Sequence, residues 1–198
     1  MVFNEVLAGI ITFKIKKERR LMSIILLIAI SIFTTITIRA IMTREEKFML
    51  EAIQLSRHGV ANNEGGPFGC VVVKGDVVVG RGNNKVTSTN DPTAHAEVTA
   101  IRDACKNLGT FQLDDCEIYT SCEPCPMCLG AIYWARPSVV YFANNRQDAA
   151  NIGFDDSMIY DEMNVCIEER KIPILSIGRE AALKVFMEWK DKGDKTLY

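Results

Sequence analysis

The apolar positions of residues 43–198 follow helical and strand-like spacing in turn. Apolar side chains recur at helical spacing in four segments, residues 43–60, 93–107, 126–135 and 180–190. Short runs rich in β-branched and aromatic residues indicate strands at residues 68–74, 77–82, 117–120, 138–143 and 172–177. Thr43 and Glu46 form a capping box for the first helix, and Gly75-Asp76 is the turn of a hairpin. This alternation predicts an α/β fold, a three-layer α/β/α sandwich over one mixed sheet.

Residues 1–41 have a different pattern from the rest of the chain. A basic stretch precedes residues 21–38, which are uncharged and just long enough to span a membrane. Such an anchor would keep the basic flank inside and export the following domain. We favour the other interpretation, that Met42 is the true start, because a capping box follows it directly. A cleaved signal peptide is disfavoured because no clear small-residue cleavage site follows the run. We therefore expect a hydrophobic extension, and then one domain over residues 42–198.

Composition and charge are those of an ordinary globular protein. Apolar residues make up 48% of the chain and charged residues 24%. A net charge of −2 argues against a nucleic-acid partner, which would need a basic surface. The seven cysteines are odd in number and show no regular framework, which favours a reducing compartment, the cytoplasm.

The candidate chemistry lies in two short motifs, His95-Ala96-Glu97 and Pro124-Cys125-Pro126-Met127-Cys128. Cys125 and Cys128 are one helical turn apart, so both sulfurs can face one point. Pro126 suits the first position of a helix, which places Cys125 at its N-cap, where the helix dipole favours the metal-binding thiolate. With His95 as third ligand, one coordination position stays open, the pattern of a catalytic zinc. We therefore predict one Zn²⁺ per subunit.

Glu97 is the predicted proton shuttle of this site. It lies two residues from His95, too near to occupy the same ligand position, but it can reach a water molecule bound at the metal. Two other interpretations of Cys-x-x-Cys are a redox pair and a structural zinc site, for which Cys122 offers itself as a fourth ligand. The occurrence of His-x-Glu together with Pro-Cys-x-x-Cys favours the catalytic interpretation.

Residues 42–198 resemble the cytidine-deaminase-like superfamily of zinc deaminases and, more narrowly, the bacterial-type guanine deaminases. The two motifs above carry the wider resemblance. The narrower one is carried by Tyr133-Trp134, by Phe154-Asp155-Asp156 and by the terminal Tyr198. The resemblance implies zinc-dependent hydrolysis of guanine to xanthine and ammonia, in purine catabolism or salvage. It also implies a mixed five-stranded sheet and a homodimer in which the tail at about residues 179–198 is exchanged between subunits.

The same resemblance assigns the residues of the site. Glu97 and Asp156 are the implied catalytic carboxylates. The implied substrate-binding residues are Asn84, Phe68, Ala96, Trp134 and Tyr198. Asp156 would accept hydrogen bonds from N1–H and the amine of guanine, Phe68 and Trp134 would enclose the flat ring, and Tyr198 would close the site of the partner subunit.

Three alternatives stay open from the sequence, one of which is another nucleobase or nucleoside deaminase of the same superfamily. A transfer-RNA adenosine deaminase shares the stretch from Asp91 to Glu97 but should grip phosphates with basic residues, and the charges of this tail are mixed. A non-catalytic zinc-binding module would need neither Glu97 nor an open coordination position.

Overall fold

The computed structural model of the chain describes residues 21–23, 26–27 and 42–197. The chain divides into two units, Met1–Lys47 and Phe48–Tyr198. Residues 21–23 and 26–27 are helical, and the rest of the uncharged run at 21–38 lies outside the described residues. Within the described residues, no helix is long and apolar enough to cross a bilayer. The two interpretations of residues 1–41 therefore stay predictions.

Residues 42–197 form seven α-helices and four strands. The helices are α1 (Arg44–Ala61), α2 (Val86–Thr89), α3 (Ala96–Leu108), α4 (Pro126–Ala135), α5 (Arg146–Asn151), α6 (Ser157–Asn164) and α7 (Arg179–Asp191), and a 3₁₀ turn spans Ile167–Glu169. The strands are β1 (Gly69–Lys74), β2 (Val77–Asn83), β3 (Cys116–Cys122) and β4 (Val139–Asn144). The capping box of α1 is confirmed: Thr43 N–H donates to Glu46 Oε2 at 2.8 Å, and Glu46 N–H donates to Thr43 Oγ1 at 3.2 Å.

The four strands make one mixed sheet in the order β2-β1-β3-β4. β1 pairs antiparallel with β2, as the hairpin prediction requires, and with β3, whereas β3 and β4 are parallel. The continuous apolar run of β1 is buried on both faces, as expected for a central strand. Val71 and Val73 pack with Ala52 of α1, and Val72 packs with Ala96 and Ala100 of α3 on the opposite face. Helices on both faces confirm the α/β sandwich.

The predicted strand at residues 172–177 is wrong for the described chain, whose sheet ends at β4. Ile172, Leu175 and Ile177 are 75%, 85% and 95% exposed. Their β-branched pattern meets the propensity for a strand, but a strand also needs a partner edge and a buried face, and this segment has neither within the described residues. The five-stranded count is therefore not confirmed, and no residue from 136 to 197 is buried.

Candidate active site

A tight turn presents His95 at the start of α3. Asp91 Oδ1 accepts hydrogen bonds from the N–H and the Oγ1–H of Thr93, at 2.8 and 2.7 Å. This turn delays the helix to Ala96, three residues after the predicted start, and leaves His95 at the N-cap in an extended conformation. Gly82 lets α3 approach β2 closely, because a Cβ there would lie 2.2 Å from the carbonyl oxygen of Ala96. The imidazole is therefore fixed by the turn before it and the sheet beneath it.

The end of β3 and the start of α4 present the two thiols. Cys125 is the N-cap of α4, with Pro126 in the first turn, as the sequence predicts. The backbone before it is held to the sheet, because Gly69 N–H donates to Ser121 Oγ at 2.9 Å and Glu123 N–H to the Asn144 carbonyl at 2.8 Å. The N-termini of α3 and α4 thus meet at one point beside the sheet.

Ligand atoms of His95, Cys125 and Cys128 all lie within 4.8 Å of one another. His95 Nδ1 is 3.5 Å from the sulfur of Cys125 and 3.4 Å from that of Cys128. Zinc bonds of about 2.3 Å to sulfur and about 2.0–2.1 Å to nitrogen place tetrahedral ligand atoms about 3.6 Å apart. The described geometry is close to that separation, so these residues fit a zinc ion.

The ionisation of the two thiols also favours a cation between them. The pKa of Cys125 is lowered to about 4, chiefly because the thiol of Cys128 donates a hydrogen bond to it. The pKa of Cys128 is raised, because it donates that hydrogen bond and is buried beside Cys125 and Glu97. Two thiolates this close repel each other, and a metal ion removes the repulsion by binding both.

Glu97 lies beside the ligands but outside their group. Its side chain is 5% exposed, and burial raises the pKa of its carboxyl group. Its Oε2 lies 3.4 Å from the sulfur of Cys128, within hydrogen-bond distance. Cys122, the alternative fourth ligand, instead donates toward the Asn145 carbonyl at 3.7 Å, and burial raises its pKa to about 11. The structure brings together three ligands, and it does not add Cys122 to them.

An open cavity of about 750 Å³ leads to these residues. Three predicted substrate or catalytic residues line it beside Glu97: Phe68, Asn84 and Asp156. The structure does not place the other three there. Ala96 has its side chain in the core, Trp134 is 65% exposed on α4 and away from the cavity, and Tyr198 lies outside the described residues. The expected enclosure of a ring between Phe68 and Trp134 is thus not formed within the described chain.

The residues of the cavity wall that sequence reasoning did not assign to a site include Phe154, Glu123 and Arg146. The ring of Phe154 packs edge-on against Phe68, with centroids 4.9 Å apart. Glu123 Oε2 accepts a hydrogen bond from the N–H of Arg146 at 3.0 Å and so ties the cysteine turn to α5. The available signals were the position of Glu123 inside the cysteine motif and of Phe154 next to Asp155-Asp156. Arg146 had none.

Burial also perturbs the second carboxylate of the cavity. The pKa of Asp156 is raised by desolvation and, secondarily, by the nearby Cys125. A raised pKa on a cavity carboxyl group is typical of a functional site.

Comparison with known families decides the class of this site. The family model of the cytidine and deoxycytidylate deaminase zinc-binding region matches residues 42–144. The chain belongs to this deaminase family. All three metal ligands and Glu97 lie inside the matched region.

Individual members of the family differ in how much of the chain they cover. Guanine deaminase of Bacillus subtilis is 54% identical over 153 residues, which are 77% of this chain and 98% of that protein. Its crystal structure superposes over the same shares with a TM-score of 0.75. The tRNA-specific adenosine deaminase of Aquifex aeolicus is 36% identical over 50% of this chain and 65% of its own length. A guanine deaminase structure from Nitrosomonas europaea is 33% identical, with a TM-score of 0.53 over 55% of this chain and 63% of that chain.

Proposed function

We propose that this protein is a guanine deaminase, which hydrolyses guanine to xanthine and ammonia in purine catabolism or salvage. One observation carries the proposal. A single cavity is lined by two of the three candidate metal ligands, His95 and Cys125. The same cavity is lined by two carboxyl groups with raised pKa, those of Glu97 and Asp156. The similarity to the Bacillus subtilis guanine deaminase over most of the chain supports it.

His95, Cys125 and Cys128 would hold one zinc ion. When bound, zinc supplies Lewis-acid chemistry that makes a water molecule acidic enough to act as a nucleophile near neutral pH. The thiols must stay reduced for this, and all seven cysteines are free. We therefore place the protein in the reducing cytoplasm.

Glu97 moves the proton in this scheme. Its carboxylate takes one proton from water as the water adds to C2 of guanine and gives it to the ring nitrogen N3. It then takes the proton of the new C2 hydroxyl group and gives it to the amine, so that the C2–N bond breaks, ammonia leaves and C2 becomes a carbonyl. Burial raises the pKa of Glu97 toward the working pH, which suits a group that must both accept and donate. Glu97 Oε2 lies 3.4 Å from the sulfur of Cys128, which places the carboxyl group beside the ligand group.

Asp156 provides the selection for guanine. The reacting carbon of guanine lies between N3, an acceptor, and N1–H, a donor. A carboxylate at Asp156 accepts from N1–H and from the amine, whereas adenine and cytosine present an acceptor beside their reacting carbon and are repelled. Phe68 and Phe154 form the apolar wall against which the flat ring lies.

We also propose a homodimer with an exchanged C-terminal tail. Within one subunit, no described residue from 136 to 197 is buried, and Phe186 on α7 is 72% exposed. On α4, Tyr133 and Trp134 are 75% and 65% exposed. Apolar surfaces of this extent call for a partner, and the tail of a second copy would cover the α4 face. In such a dimer Tyr198 would close the cavity of the partner subunit.

The test is ammonia release by the purified, zinc-loaded protein from guanine, adenine, cytosine, guanosine and a tRNA anticodon stem-loop. We expect release from guanine, with xanthine as product. Asp156→Asn should retain zinc but lose activity on guanine, because an amide can turn a donor toward N1–H. Faster release from the adenosine of the stem-loop than from guanine would overturn the proposal in favour of a tRNA deaminase.

A further inference from the structure

Arg146 contributes a positive charge to a cavity wall that is rich in carboxyl groups. Among the described residues that line the cavity it is the only lysine or arginine, whereas four carboxyl groups line it, those of Glu97, Glu123, Asp155 and Asp156. Within the described part of the chain, the guanidinium group of Arg146 takes part in no ion pair. Neither the proton transfer proposed for Glu97 nor the base selection proposed for Asp156 uses this charge.

The structure holds both ends of Arg146 in place. Its backbone N–H, at the first residue of α5, donates to Glu123 Oε2 at 3.0 Å. Its guanidinium carbon lies over the ring of Tyr160, 5.0 Å from the ring centroid. A guanidinium group within about 6 Å of an aromatic centroid is attracted by the ring. Arg146 is therefore positioned by the cysteine turn on one side and by α6 on the other.

Stacking on Tyr160 brings this charge to the part of the cavity wall that contains Asp156. Asp156 is the N-cap of α6, and Tyr160 follows four residues later. Residues four apart are neighbours on one face of a helix. The two groups also act on each other, because burial and, next, the negative charge of Asp156 raise the pKa of Tyr160, while the charge of Arg146 opposes this. Asp156, Tyr160 and Arg146 thus form one cluster beside the cavity.

Arg146 is also the positive charge that acts on the Asp156 carboxyl group. Desolvation raises the pKa of this group most, and the charges of Cys125 and Asp155 raise it further, whereas a backbone hydrogen bond and the charge of Arg146 lower it. The charges of the two thiolates would be cancelled by bound zinc, so Asp155 and Arg146 would remain as opposed charges. Without Arg146, each of these side chains would favour the protonated form of Asp156. The other titratable side chains that line this cavity are those of His95, Glu97, Cys122 and Glu123.

The ionisation of Asp156 matters because guanine presents two donors to it. N1–H and the amine need two acceptors, which an ionised carboxyl group offers on its two oxygens. A protonated carboxyl group would turn a donor toward one of these donors. We propose that Arg146, stacked on Tyr160, is a positioning residue that keeps Asp156 in the ionised form and so helps to determine the specificity for guanine. This inference rests on the proposed function and adds a residue to it.

The test is the pH dependence of kcat/KM for guanine, measured with zinc-loaded protein at about pH 8 and about pH 5.5. Arg146→Gln removes the charge and should lower kcat/KM at the lower pH at least about threefold more than at the higher pH, because more of Asp156 is then protonated. Arg146→Lys keeps the charge and should keep the ratio of the two values within about twofold of the wild-type ratio. Arg81→Gln is the matched control and should leave the ratio unchanged, because Arg81 is paired with Glu51 at 2.8 Å and does not line the cavity.

The comparison of two pH values separates this role from a direct contact with the base. The guanidinium group stays protonated over this range, and guanine keeps its N1–H. Loss of a contact between Arg146 and the base would therefore lower kcat/KM by the same factor at both pH values. That result, or no loss at all, would overturn the inference, and so would an Arg146→Lys protein that is as impaired at low pH as Arg146→Gln. Failure of the wild type to release ammonia from guanine would instead refute the proposed function.

Tyr160→Leu tests the stacking contact, with Tyr160→Phe as its control. Leucine removes the ring face and releases the guanidinium group, so kcat/KM at the lower pH should fall at least about twofold relative to the higher pH. Phenylalanine keeps a ring face and should leave the ratio unchanged. Zinc content and melting temperature, measured for each variant, show that the protein is intact. An unaltered ratio in Tyr160→Leu would contradict the positioning by Tyr160, and if Arg146→Gln does not fold, this pair of variants decides the inference.

Discussion

Replacing Glu97 with glutamine isolates proton transfer from every other property of the site. The amide has nearly the shape of the carboxylate, so it can occupy the same place, 3.4 Å from the sulfur of Cys128. Because Glu97 is not among the three ligands, zinc content should stay at the wild-type level. The variant differs from the wild type in one respect: it cannot take up and return a proton.

The expected loss in kcat is about 10²–10⁴-fold, the usual contribution of a positioned general acid–base group. That loss corresponds to about 2.7–5.4 kcal/mol of activation free energy. The stability of the metal-free protein, unlike its activity, should not fall in this variant. Burial raises the pKa of Glu97, so its ionised form is disfavoured in the metal-free fold, and the cost grows as pH rises above the ordinary glutamate pKa of about 4.3. Without that charge, metal-free Glu97→Gln should be at least as stable as the wild type at pH 7.

The assay combines kcat for guanine, zinc per subunit and the melting temperature of the metal-free protein at pH 7. Glu51→Gln is the matched control, because Glu51 lies on the surface, paired with Arg81 at 2.8 Å, and should change unfolding free energy by less than about 1 kcal/mol and kcat not at all. The mechanism is refuted if Glu97→Gln contains full zinc and keeps more than a tenth of the wild-type kcat. A metal-free variant that melts well below the wild type would refute the argument about burial.

Three further predictions concern the metal, the tail and the extension. Cys125→Ser should lose zinc, whereas Cys122→Ser should keep it, and equal losses by elemental analysis would overturn the ligand assignment. Deleting residues 195–198 should spare folding, zinc and dimerisation but lower kcat/KM at least tenfold, about 1.4 kcal/mol of transition-state stabilisation; undiminished activity would show that the tail closes nothing. Removing residues 1–41 should leave zinc content and kcat unchanged, since every described site residue lies after them, and a loss of activity would give that extension a role in the enzyme.

The metal group was predictable because local rules decide it. A proline at the start of a helix, two cysteines one turn apart and a histidine before the next helix are fixed by short-range backbone geometry, and the structure places them as expected. The helix start at Ala96 was missed by three residues because the Asp91–Thr93 turn competes with helix formation there. Local hydrogen bonds of this kind shift element boundaries without moving the element itself.

The direction of Asn84 could not be predicted in this way. Its orientation depends on a backbone N–H of Gly66, 18 positions earlier in the chain, and on the approach of Gly65 to its own carbonyl. The contact between Phe68 and Phe154 joins segments that are still further apart in sequence. A sequence shows that an amide or a ring is available, but only the packing of distant segments determines which atom of it faces the substrate.

Neither the predicted strand at residues 172–177 nor the predicted ring contact of Trp134 is formed within the described subunit, and both have the same reason. Both are apolar features that sequence reasoning assigned to a buried place, and both are exposed within the described subunit. Hydrophobicity and β-propensity indicate that a segment tends to be buried, but they do not predict whether its own chain or a second chain buries it. If the tail crosses to a second subunit, as we propose, the strand and the Trp134 face would be completed by the same exchange. A dimer in which residues 172–177 and Trp134 both stay accessible to labelling or proteolysis would contradict the tail exchange. Dimerisation would then occur without it, and the cavity would stay open to solvent.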